Sequence, residues 1–403
     1  MTIGRSGLAA RFAMLAVLCA LFLSGSTLNS FGLNYSTDST AGGFKLHPYT
    51  ILTAIAVVLL ACGPRAFERC MAVRQFRTAM AGAAVTFAVL MLKAITGAGQ
   101  ALGFAVDTVF SAFLMAAILP FLAAGITKCL SMALMLFLLI ECTIALIEVT
   151  THVNLIPIDT WYGQYFRATA LHGHPLNNAL ILVTVATALQ AYARRWNTGL
   201  IFLLTVCALV AFGARGALAA YLLVNAGTFI RFGLRSAQRA LALIAGGAVS
   251  LAGLAWLLFS GLLGDRITQV GAYDDSSQVR VQSIDILNHL NWSRLLVGID
   301  SNQISRLMDE AKVGVIENFA VDYLLMFGAI MAALLFYFVY RTCKEFFAGV
   351  SPAGKGRLLA VLFVFVCTAL TNNSLATKTS ALYLLMVGLW CVRSRFLMHE
   401  ISR

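Results

Sequence analysis

Charge is scarce in this chain. Only 11% of its 403 residues are Asp, Glu, Lys or Arg, and 60% are hydrophobic. A soluble globular domain carries about 25% charged residues, so a soluble fold is excluded and an integral membrane protein is expected. The short alternating segments of a spanning β-barrel are missing too. So are a basic-aromatic stripe and any nucleic-acid motif, which leaves the net charge of +12 to be explained by the membrane. No internal repeat, low-complexity stretch or soluble domain is evident.

What the chain does have is long apolar runs of the length that crosses roughly 30 Å of hydrocarbon. Twelve helical spans are predicted, near 11–29, 47–63, 79–96, 108–126, 129–147, 176–193, 199–213, 216–233, 240–260, 319–339, 358–371 and 380–392. Arg5 and Arg11 ahead of an apolar run, with Ser24-Gly25-Ser26 behind it, also fit a signal peptide. An uncleaved anchor is the expectation taken here. With both termini cytoplasmic, nineteen of the 29 Lys and Arg fall in inside segments, as the positive-inside rule requires. All nine cysteines lie in spans or inside loops, the pattern of a protein facing an oxidising compartment without disulfides. Five of six histidines and fourteen of seventeen acids lie outside or in outer halves of spans. The chemistry is expected to face out.

The whole chain, 1–403, reads as a single transmembrane domain with two outside segments longer than a turn, 148–175 and 261–318. The second is not linker-like. In 277–290, Val281, Ile284, Leu287 and Leu290 share a helical face, with Asp275 or Ser276 as cap. In 302–311, Ile304, Leu307, Met308 and Ala311 do the same, with Ser301 as cap. Two amphipathic helices over the bundle mouth are expected, as a lid or flat on the membrane.

Polar residues beside hydrocarbon are costly and mark places where a polar ligand is handled. The densest group is Arg167 with His172, His174, Pro175, Asn177 and Asn178. His-Gly-His is a poor metal site, because no third ligand follows at helical spacing. Pro175 instead suits the first turn of a helix, whose free N–H groups would favour an anionic phosphate. Arg215 stands between glycines in a tight reversal, Phe212-Gly-Ala-Arg-Gly-Ala217. A snorkelling arginine is expected on the inside, and this one is outside. Arg280, beside Asp274 and Asp275, taken alone reads as a solvated loop charge. The two aspartates lack the ligand spacing and glycine of a calcium loop. Glu317 and Asn318 open the tenth span, where an acid is favoured by the helix dipole and could also serve as a general base.

Taken in order, these segments resemble the O-antigen ligase and polymerase superfamily of bacterial surface polysaccharide assembly. The matching segments are Arg167 to Asn178, Ala214-Arg215-Gly216, Ser277-Gln-Val-Arg280, and Glu317-Asn318 leading to Leu324 and Gly328. They cover residues 160–340. The resemblance implies a GT-C-like fold in the bacterial inner membrane, with the active site facing the periplasm. It implies an undecaprenyl-diphosphate-linked glycan as substrate and metal-independent, inverting glycosyl transfer, with no cofactor. Arg215 and Arg280 would hold the diphosphate, supported by Arg167, since the guanidinium fork pairs with phosphate oxygens. His172, His174, Asn177, Asn318 and Asp322 would line the rest. Membrane lipid is the surrounding partner, and a chain-length regulator is a further one left open.

The departure is at the base. Ligases of the superfamily typically carry histidine where this chain has Glu317. That leans the expectation toward a polymerase of lipid-linked repeat units, with a ligase as the close alternative. Asp322 and His289 are fallback bases. A secondary transporter or lipid-glycan flippase is the rival of another class, with Lys93 and Glu141 as its span charges. A structural partner of an assembly machine is a third.

Overall fold

The computed structural model describes residues 3–33, 35, 45–95, 103–156, 166–192, 195–233, 236–238, 241, 283–311, 313 and 316–401. Among them the fold is helical throughout, with no strand. The long helices are α1 (Ile3–Phe22), α3 (Pro48–Ala61), α5 (Arg74–Ile95), α6 (Gly103–Phe121), α7 (Ala124–Thr151), α8 (Pro175–Tyr192), α9 (Arg195–Ala211), α10 (Arg215–Gly233), α13 (Phe319–Glu345), α14 (Pro352–Ala369) and α15 (Ala381–Ile401). Four shorter ones complete the set: α2 (Gly25–Ser30), α4 (Pro64–Ala72), α11 (Trp292–Val297) and α12 (Ser301–Glu310).

Five of these, α5, α6, α7, α13 and α14, are long and apolar enough to cross a membrane. The pair α3 and α4, bent by 104°, makes a sixth if taken as one span. Large apolar side chains point outward along the same helices, among them Val58, Met132, Ile330 and Leu359. In water such a surface would be a liability; against lipid it is the solvated face. These features mark a membrane protein. Helices also occupy the other segments predicted as spans, except 240–260, which lies outside the described residues apart from Leu241.

Burial explains why α8 is less apolar than a lipid-facing helix. Fifteen of its eighteen residues are buried, and α7, α9, α10, α14 and α15 surround it. An interior helix can carry Asn178, Thr184, Thr187 and Gln190 provided the bundle satisfies them. Helices α5 and α13 run antiparallel. Arg74 at the start of α5 pairs with Glu345 at the end of α13 (3.0 Å), and Lys93 near the other end of α5 donates to the Val297 carbonyl (2.8 Å). Both residues of the ion pair belong to segments expected inside.

The described part of the loop before α13 packs as a small core of its own. Ile286, Ile299, Ile304, Val313 and Ile316 cluster on Val321 and Leu325 of α13. Helix α12 presents the face read from the sequence, with Ile304 buried and Leu307, Met308 and Ala311 packed on the cluster. Its cap is Asp300 rather than Ser301: the Asp300 carboxylate accepts from the Gln303 N–H, which places Ser301 inside the helix. The predicted 277–290 helix differs more. Its cap residues and first turn lie outside the described residues, and from Ile286 to His289 the chain tightens to a 3-10 turn. That turn buries Ile286 and leaves Ile284 exposed, while Leu287 and Leu290 of the expected face pack against the cluster. The loop is anchored by Ile299, whose N–H donates to the Leu325 carbonyl (2.8 Å). Close passage there requires Gly298 and Gly328, both at positive φ; a Cβ on Gly328 would lie 2.4 Å from the Leu296 carbonyl oxygen.

Candidate functional site

The reversal between α9 and α10 is a Schellman cap. The Gly213 N–H donates to the Val210 carbonyl (2.9 Å) and the Ala214 N–H to the Leu209 carbonyl (3.1 Å), with Gly213 at φ 62°. Helix α10 starts on the next residue, Arg215. Gly216 is pressed against Thr371: a Cβ there would sit 2.5 Å from the Thr371 hydroxyl. Only glycine lets α10 approach the end of α14 so closely.

The segment 166–174 is held on this reversal from two sides. Arg167 Nε donates to the Phe212 carbonyl (2.9 Å), and the Ala168 N–H donates to the Ala211 carbonyl (3.1 Å). From below, the buried Glu148 carboxylate accepts from the N–H groups of Leu155 (2.8 Å), Thr169 (2.7 Å) and Ala170 (2.8 Å). Glu141, two turns earlier in α7, accepts from the Leu171 N–H (3.2 Å). The Asn178 amide donates to the Thr169 carbonyl, and Asn154 Nδ2 donates to the Thr169 hydroxyl (2.8 Å). This network keeps Ala170 at φ 37°, a left-handed conformation that alanine rarely adopts.

These constraints shape an open cleft lined by Arg167, Leu176, Ala179, Gly213 to Ala217, Glu317, Thr371 and Asn372. Arg167 is buried; Arg215 and Glu317 are half-buried. Three helices meet the cleft with their amino ends: α8 through Leu176, α10 through Arg215 to Ala217, and α13 through Glu317, which precedes the Asn318 cap. Each amino end carries about half a positive charge. Two guanidinium groups, three dipoles and one carboxylate suit a phosphate-bearing ligand with a proton to lose nearby.

A second, smaller cleft lies on the other side of the first turn of α8. Its walls include Ser24, Tyr35, His47, Tyr49, His172, Asn177, Lys378 and Ser380. Beneath it, α6 opens into a π turn over Val106–Phe110, and Asp107 on that turn accepts from the Tyr35 hydroxyl, the Thr50 hydroxyl (2.7 Å) and the His47 N–H (3.1 Å). Lys378 Nζ donates to the Lys45 carbonyl (3.1 Å) and stands 4.4 Å from the Tyr35 ring centre. Burial lowers the pKa of His172 to about 4. His174 is also lowered to about 4, by burial and then by Arg167. Both imidazoles are neutral at pH 7.

The structure thus brings Arg167, Arg215 and Glu317 together, and places His172 and Asn177 in the neighbouring cleft. His174 caps α8, its carbonyl accepting from the Asn178 N–H (3.0 Å). Asn318 is a helix cap, accepting from the Ala320 N–H (2.9 Å). Asp322 is buried one turn further along α13 and lines neither cleft; His289 ends the 3-10 turn and lines neither. Arg280 lies outside the described residues. Sequence reasoning missed Glu148, Asp107, Tyr35, His47 and Lys378. Two signals were available: Asp107 is an acid inside an apolar run, and His47-Pro48 repeats the His174-Pro175 pair that opens α8. All nine cysteines are free thiols. No protein-family model matches this chain, and no curated protein does.

Proposed function

We propose that this protein is a polymerase that joins undecaprenyl-diphosphate-linked oligosaccharide repeat units at the periplasmic face of the bacterial inner membrane. In this reading the chain has twelve spans in a GT-C-like bundle, with both termini cytoplasmic, and the two clefts open outward. The observation that carries it is the meeting of Arg167, Arg215 and Glu317 at three helix amino ends. The arginines and the helix amino ends hold the diphosphate and stabilise the charge that develops on it as it departs. An acceptor hydroxyl attacks the anomeric carbon as the carbon–oxygen bond to the diphosphate breaks. Glu317 takes the hydroxyl proton, and the anomeric configuration inverts. Arg280 joins the clamp from the outer loop.

The span charges argue for this reading over a transporter. One oxygen of Glu141 accepts from the Leu171 N–H and Lys93 donates to the Val297 carbonyl, so both charges fasten neighbouring segments. Gene deletion followed by separation of surface and lipid-linked glycans tests it. Single repeat units in place of long chains, restored by wild type and not by Arg215→Ala, are expected. Long chains stranded on the lipid carrier would make the protein a ligase instead. Unchanged glycans would end the enzyme reading.

A further inference from the structure

Helix α4 lines neither cleft, yet it is set in an unusual way. Gly63 at φ 100° and Pro64 at the first helical position turn the chain, and α4 leaves at 104° to α3. Helix α3 carries Ile51, Ile55 and Val58 outward, as a lipid-facing helix does. A helix set across its end therefore runs along the membrane surface rather than through it. Composition agrees: Arg65, Glu68 and Arg69 put three charges into nine residues, too many for hydrocarbon.

The two sides of α4 differ in kind. At about 100° per residue, Ala66, Phe67, Cys70 and Met71 fall on one side and Arg65, Glu68 and Arg69 on the other. Cys70 is buried, its thiol 3.9 Å from the Leu60 carbonyl near the end of α3, so the apolar side faces back toward the bilayer. Phe67 lies on that side and is still 50% exposed, so the protein does not cover it. Arg65 and Arg69, one turn apart, are both exposed, and Arg69 Nε donates to the Arg65 carbonyl (3.0 Å). Arg77, one turn into α5, is exposed as well. None of these three has an acidic partner among the described residues, whereas Arg74 is committed to Glu345.

An aromatic side chain turned to the bilayer, with unpaired guanidinium groups at the same level, fits an anionic phospholipid. A zwitterionic headgroup brings a cation that the arginines repel. A soluble acidic partner could reach the arginines but not Phe67, which lies on the bilayer side. We propose that α4 is an interfacial helix that seats Phe67 at the acyl boundary and binds an anionic phospholipid headgroup through Arg65, Arg69 and Arg77. The site stands independently of the polymerase reading.

The test is native mass spectrometry of the full chain in detergent, titrated with phosphatidylglycerol or with phosphatidylcholine. Phosphatidylglycerol is expected to bind more tightly, by about fivefold for each arginine that meets it. Arg65→Gln and Arg69→Gln are each expected to remove about fivefold of that preference. The double variant Arg65→Lys, Arg69→Lys keeps the charge and is expected to keep the preference. Phe67→Ser is expected to weaken both lipids alike, and Arg306→Gln, on the distant α12, to change neither. Should a variant unfold, the wild type decides alone: millimolar inorganic phosphate is expected to leave the lipid bound. Equal affinity of the wild type for the two lipids, a preference untouched by Arg65→Gln and Arg69→Gln, or displacement by inorganic phosphate would overturn the proposal.

Discussion

Arg167 and Phe212 are joined by a hydrogen bond of 2.9 Å from the guanidinium Nε to a carbonyl at the very end of α9. That carbonyl belongs to the Schellman turn that delivers Arg215, so one arginine fastens the turn that aims the other. The contact separates what the two residues do. Arg167→Ala is expected to lower stability by about 1.5–3 kcal/mol, the range for a buried hydrogen bond to a charged group. Arg215→Ala is expected to leave the melting temperature closer to wild type while removing about 10²-fold or more of the turnover. Thermal unfolding and product formation, measured on both variants, check the split.

Gly216 against Thr371 gives a steric expectation. Gly216→Ala is expected to cost about 1–3 kcal/mol, since the added Cβ overlaps the threonine hydroxyl and Cβ. Pairing it with Thr371→Gly removes both clashing atoms and is expected to recover part of the loss. Melting temperatures of the two single variants and the double variant decide it.

Glu148 accepts three backbone N–H groups on its two oxygens. Glu148→Gln keeps the shape but has one accepting oxygen, so at least one buried N–H loses its partner at a cost of about 1–3 kcal/mol. The Gln oxygen keeps Thr169 and Ala170, which share Oε2, so faster hydrogen exchange at Leu155, with the distant α13 and α14 unchanged, is the expected pattern.

The neutral imidazoles set a pH dependence. His172 and His174 bind protons less readily in the fold than in the unfolded chain, where the ordinary value is 6.5. As pH falls below 6.5 the unfolded chain takes up protons first, so stability is lost, and the loss continues toward pH 4. Above 6.5 these groups contribute no slope. Unfolding measured from pH 7.5 to 5, before most carboxylates titrate, is expected to show the decline, with a shallower slope in His174→Gln.

How far the sequence carried this picture depends on what each feature needs. The helices were legible because apolar run length sets them directly, and Phe212-Gly-Ala-Arg-Gly-Ala217 showed its reversal through glycine placement. The grouping of Arg167, Arg215 and Glu317 followed from their expected placement on one side of the membrane. Other features depend on tertiary partners. Asp300 and Ser301 are equally good caps by type, and only the path of the chain selects Asp300. Glu141 reads from the sequence as a lone span charge, and its bond to the Leu171 N–H, 30 positions away, is set by the fold. Asp107 is spoken for by Tyr35 and Thr50, residues 72 and 57 positions away, and no local pattern announces such pairs.

The most direct measurement uses the purified chain in nanodiscs with a synthetic undecaprenyl-diphosphate-linked repeat unit and no added nucleotide sugar. Glycans of two or more units, with one undecaprenyl diphosphate released per bond formed, are expected from wild type. Arg215→Ala and Glu317→Gln are expected to yield almost none. A repeat unit left unchanged by wild type, or extended equally well by both variants, would contradict the account.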